Sequence, residues 1–171
     1  MITLFLGLTA ANLLLLSGVF VLGWTTAGAG SGGDLYAYHV GLGVGAGLMV
    51  ALVHVTVYTY FMATSKWLAA AAEKANLDPQ QFVAPARRRK SRAFPLMLAP
   101  VVLTMLAMFA GAGADPMFRP LWPIQTHLVM VLAAMLANAV AAILEYRLIR
   151  AQSQCIDQTL AILNQTRTMN T

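Results

Sequence analysis

The chain reads as an all-α integral membrane protein, an up-and-down four-helix bundle. Three observations predict this. Hydrophobic residues make up 59% of the sequence, with a mean hydropathy of +0.70. Charged residues make up only 10%, against about 25% in a typical soluble domain. Four apolar runs are each long enough to cross about 30 Å of hydrocarbon at about 1.5 Å per residue. A length of 171 residues leaves room for one bundle and no sizeable second domain.

The first span is expected at 3–24. Ala27 and Ala29 form an A-x-A pattern behind it, but a signal peptide would carry a basic leader and a shorter apolar region, so the run reads as a membrane helix. A Gly/Ser-rich turn from Thr25 to Asp34 leads to the second span at 36–63. Ser65 to Asn76 continues a good helix as far as Asp78-Pro79, within a basic cytoplasmic loop expected at 64–93. The third span is expected at 94–113, and a turn rich in proline (Pro116, Pro120 and Pro123) precedes the fourth at 122–147. Ile149, Ile156, Leu160 and Leu163 keep apolar helical spacing through a tail at 148–171. Helices 2 and 4 are therefore expected to extend beyond the bilayer on one side, where they pack together or dock a partner.

Orientation follows from the basic residues. The segment between the second and third spans carries Lys66, Lys74, Arg87, Arg88, Arg89, Lys90 and Arg92, and the opposite connections carry only Arg119. The positive-inside rule places that segment and both termini in the cytoplasm, as expected for a bacterial inner-membrane protein, and Arg147, Arg150 and Arg167 agree. A net charge of +5 gathered at the ends of apolar spans points to anionic lipid headgroups and not to nucleic acid. Cys155 is the single cysteine, so there is no disulfide framework and no CxxCH for covalent haem attachment. No GxSxG, HExxH or Walker loop occurs, and no catalytic residue is assigned.

The candidate site rests on three histidines. In the second span His39, Gly43, Gly47, Ala51 and His54 follow one another at steps of four, four, four and three, which predicts one shared helix face. Gly43 and Gly47 would clear room on it for a flat ligand such as a porphyrin. The second and fourth spans run in the same direction, so His39 and His127, each a few residues inside the outer end, lie at matching height. Two imidazoles so placed on parallel helices suit the two axial positions of a haem b. His54 lies about 22 Å deeper at the helical rise. It suits either a second haem, with Met97 or Met105 as a further ligand, or a hydrogen bond to Asn12, Asn138, Thr56 or Thr104. Asp34, His39, Asp115 and His127 form an alternative nitrogen and oxygen set for copper or zinc. Glu145, beside Arg147 and Arg150, reads as one half of a surface ion pair, and a proton path through it, His54 and Asn138 is the bolder alternative.

On these residues the chain resembles, at the level of architecture, the haem-bearing four-helix core of cytochrome b-type membrane proteins. The resemblance covers the second and fourth spans. It implies that His39 and His54 match the second-helix ligand pair, His127 the outer ligand of the fourth helix, and Gly43 and Gly47 the clearance positions. The inner position of the fourth helix falls near Ala141 or Ala142, which cannot bind iron. The function so implied is a small electron-transfer subunit, non-catalytic itself, exchanging electrons with a partner subunit or a quinone. The alternative is a cofactor-free accessory subunit that scaffolds a larger membrane complex or a homo-oligomer through its Ala/Gly-rich faces.

Overall fold

A computed structural model describes residues 1–29, 33–115, 117 and 119–169. They form four α-helices: α1 (Ile2–Ala29), α2 (Asp34–Lys74), α3 (Pro79–Gly113) and α4 (Ile124–Met169). All four are long and apolar enough to span a membrane. Residues 30–32 and Pro116, in the two expected short turns, lie outside the described residues, as does the Arg167 side chain.

The connection between α2 and α3 is much shorter than a loop at 64–93. Only residues 75–78 join the two helices. Asn76 turns the chain with a positive φ of 51°, a conformation that asparagine tolerates better than most residues. Asp78 then starts α3, its side chain accepting from the Gln80 backbone N–H at 2.9 Å, with Pro79 in the first turn, where no N–H is missed. The arginine cluster 87–92 is therefore helical. Pro85, Pro95 and Pro100 also sit inside α3, a pattern membrane helices tolerate when neighbours satisfy the freed carbonyls.

Among the described residues α2 and α4 touch across the bundle, whereas α1 and α3 do not. The section is thus a rhombus with α2 and α4 on its short diagonal. Their buried stripes are in register. Ala46, Val50, Val53, Val57 and Phe61 on α2 correspond, 88 residues on, to Ala134, Asn138, Ala141, Glu145 and Ile149 on α4, and all ten are buried. The offset extends to α1 and to α3 with its C-cap, where the equivalent positions Phe5 and Ala93, Asn12 and Pro100, and Thr26 and Ala114 are all buried. The bundle is two similar helical hairpins related by a pseudo-two-fold axis between α2 and α4.

This register corrects the expected glycine face. At about 3.6 residues per turn a step of four overshoots a full turn by about 40°, so a series of such steps winds around the helix. Gly43 faces Val19 of α1, and Gly47 faces Met108 of α3. The stripe that meets α4 instead follows steps of four and three through Ala46, Val50, Val53 and Val57, the 3.5-residue spacing of a packed helix seam. Below it Phe5, Val57, Phe61, Ala93 and Ile149 close an apolar layer. A second cluster, Leu68, Phe82, Ala86 and Cys155, packs the basic ends of α2, α3 and α4 together, which is where the extensions of helices 2 and 4 meet.

Candidate functional site

His39 and His127 face each other across the pseudo-two-fold axis, at the end of the bundle remote from the arginine cluster. Their ring centroids are 6.3 Å apart, with planes at 75°. Each ring is anchored in the same way. His39 Nδ1 donates to the Val19 carbonyl at 3.2 Å, and His127 Nδ1 donates to the Ala107 carbonyl at 2.9 Å, in both cases across 20 residues of chain. A carbonyl only accepts, so each Nδ1 carries the hydrogen, and in the neutral ring Nε2 keeps its lone pair. Both free lone pairs therefore belong to the same nitrogen type, on opposite sides of one axis.

Room for the rings comes from two glycines that the sequence reading did not single out. A Cβ on Gly23 would lie 2.6 Å from His39 Cε1, and one on Gly111 would lie 2.9 Å from His127 Cε1. Each glycine sits one turn after the carbonyl that holds the ring, so its missing side chain lets an imidazole reach a carbonyl already used by the helix. Gly23→Ala is expected to push the His39 ring off the Val19 carbonyl, lowering stability by about 1–3 kcal/mol; a fall in the thermal unfolding midpoint, larger for Gly23→Val, checks it.

The layer next to the pair is small and apolar. Ala46 and Ala134 form the next buried layer along α2 and α4. Trp122 caps the α3–α4 turn, its indole N–H donating to the Ala110 carbonyl at 2.8 Å while the ring lies over Gly113. The carboxylates of the copper or zinc alternative do not join the histidines. Among the described residues no three His, Cys, Asp or Glu gather to hold a metal ion, and Asp115 accepts from the Met117 backbone N–H at 2.8 Å.

His54 is placed differently. It is 2% exposed, and both its ring nitrogens are engaged: Nδ1 with Glu145 Oε1 at 2.9 Å, and Nε2 with Asn138 Oδ1 at 3.2 Å. The amide partner, Asn138, is one of the four side chains the sequence suggested. The carboxylate partner is a correction, because Glu145 is fully buried on the central stripe and is not paired with Arg147 or Arg150 at the surface. Both His54 nitrogens are thus taken by protein partners, and Met105, considered as a ligand for an inner haem, is 51% exposed on the outer face of α3. Comparison with known protein families, curated proteins and solved structures gives no match to this chain.

Proposed function

We propose that the chain is a small membrane electron-transfer subunit that holds one b-type haem between His39 and His127. The observation that carries this reading is the matched pair of imidazoles, each with Nδ1–H fixed on a backbone carbonyl. Ligating histidines are commonly oriented in this way, the second nitrogen bonded to a carbonyl so that the first presents its lone pair. The spacing fits as well. Two imidazoles holding one metal from opposite sides have ring centres a little over about 6 Å apart, given about 2.0 Å per metal–nitrogen bond and a ring radius of about 1.2 Å. The centroid separation is 6.3 Å. The alanines Ala46 and Ala134 keep the adjoining layer of α2 and α4 slim, which favours a flat macrocycle over a compact ion.

A haem bound there would supply a one-electron iron couple. The chain's own part is to fix ligand orientation through Val19, Ala107, Gly23 and Gly111, and to keep the site apolar. With the arginine-rich end in the cytoplasm, both termini are cytoplasmic and the histidine pair lies near the outer face of a bacterial inner membrane, within reach of a partner subunit or a quinone. Anionic lipids would engage Arg87 to Arg92 at the other face.

The test is a reduced-minus-oxidised spectrum of the full chain purified from haem-replete cells. A b-type band at about one haem per chain is expected. A colourless preparation overturns the proposal in favour of an accessory subunit without cofactor.

A further inference from the structure

One layer deeper, a second set of polar side chains lies wholly inside the bundle and draws on every helix: Asn12 of α1, His54 of α2, Thr104 of α3, and Asn138 and Glu145 of α4, all buried. Its hydrogens can be placed from chemistry alone. Asn138 Nδ2 is 2.9 Å from the Ala134 carbonyl, which only accepts, so that end of the amide is the donor. The other end, Oδ1, accepts from Asn12 Nδ2 at 3.0 Å and meets His54 Nε2 at 3.2 Å. An amide oxygen only accepts, so His54 Nε2 carries a hydrogen. His54 Nδ1 then faces Glu145 Oε1 at 2.9 Å, and that bond requires one further hydrogen, whether written on nitrogen or on oxygen. With this proton the pair is neutral overall. Without it, the pair leaves a net negative charge in the middle of the membrane.

The geometry points to a proton-binding site at mid-membrane, in which Glu145 and His54 together take up and release one proton. Loading adds a proton from water to the carboxylate oxygen or to Nδ1, and release is the reverse; no other bond forms or breaks. Two observations separate this from a structural ion pair. Glu145 Oε2 and Asn12 Oδ1 are buried with no hydrogen-bond partner, whereas a pair kept for structure alone would satisfy both carboxylate oxygens. The positions equivalent to Glu145 and His54 in the other hairpin are Val57 and Ala142, so the same architecture packs this layer with apolar side chains. An ionisable pair retained where an apolar one fits is the usual mark of a proton or ion route in a membrane protein.

Few other titratable groups face this layer. The α1 helix carries none. The α2 helix brings, besides His54, Tyr58 and Tyr60, and α4 itself brings Tyr146, all packed against the apolar layer below Glu145. The α3 helix brings Arg89, beyond that layer, whose Nε donates to Gln152 Oε1 at 2.7 Å. The site is thus insulated from the basic end by Phe5, Val57, Phe61, Ala93 and Ile149.

This inference is independent of a haem at the outer pair, and its test reads the protein without one. Glu73 and Glu145 are the two glutamates of the sequence, so carboxyl-¹³C glutamate in a Glu73→Gln background reports Glu145 alone. Full-length protein in phosphatidylcholine vesicles, also labelled with ¹⁵N-histidine, is followed by solid-state NMR against pH, with His54→Gln assigning the His54 ring nitrogens. The expected result is one titration step seen at both Glu145 and His54, with the Glu145 step displaced by about one pH unit or more in His54→Gln. Signals that stay constant over the whole pH range in which the bundle remains folded overturn the proposal. So does a step that follows sodium at fixed pH, which would assign the site to a metal cation.

Discussion

Alanine at His39 or at His127 is expected to remove the b-type spectrum, and to do so equally for the two variants. On the proposed reading each ring would supply one ligand to the haem iron, and the two are held by equivalent supports: a carbonyl at 3.2 or 2.9 Å and a glycine one turn further on. Disturbing a supporting partner of a metal ligand typically costs about 10- to 100-fold in affinity; removing the ligand itself should cost more, leaving less than about one-tenth of the wild-type haem per chain after purification. Haem content and the reduced-minus-oxidised spectrum, normalised to protein, provide the measurement. His54→Ala serves as the comparison, because both nitrogens of that ring are bonded inside the protein. It should keep its haem wherever it folds. Wild-type haem content in either outer variant would count directly against the assignment.

The second large effect concerns stability. His54→Ala leaves Glu145, fully buried, facing a cavity with neither carboxylate oxygen partnered. Removing one member of a buried pair costs about 3–5 kcal/mol, mostly because the other is stranded. Adding Glu145→Val should recover most of that loss, since this places in the layer the residues that occupy Ala142 and Val57 in the opposite hairpin. Unfolding of the single and double variants in mild detergent measures the coupling between the two sites. If the losses simply add, the carboxylate is not held by the imidazole.

Much of this architecture is legible in the residues. Hydropathy alone marks the four spans, and equal depth along two parallel helices is enough to bring His39 and His127 together. Reading Glu145 from its neighbours in sequence, Arg147 and Arg150, is misleading, because helix residues two or five apart point in different directions. Its membership of the stripe Ala134, Asn138, Ala141, Glu145 and Ile149 is the better signal, and it needs the 3.5-residue period to be tracked along the whole of α4. Gly43 and Gly47 attract notice by proximity to His39, yet the ring supports are Gly23 and Gly111, on other helices. Those two glycines become visible in the sequence only once the halves are aligned 88 residues apart. The matches are sparse, among them His39 with His127, Ala46 with Ala134, Tyr58 with Tyr146 and Ser65 with Ser153, because apolar side chains facing lipid interchange at little cost. The helical start of α3 at Pro79 was likewise written in Asp78-Pro79, and hidden by the run of charge that follows.

A bundle assembled from two separate, identical hairpins would have to present every side chain twice, so an acid set opposite a base would recur as a mirrored acid and base. Continuity of the chain from α2 into α3 lifts that constraint. One hairpin is free to contribute the imidazole and the other the carboxyl, while the histidines at the far end stay matched, so a single polypeptide combines a symmetric site with a directional one.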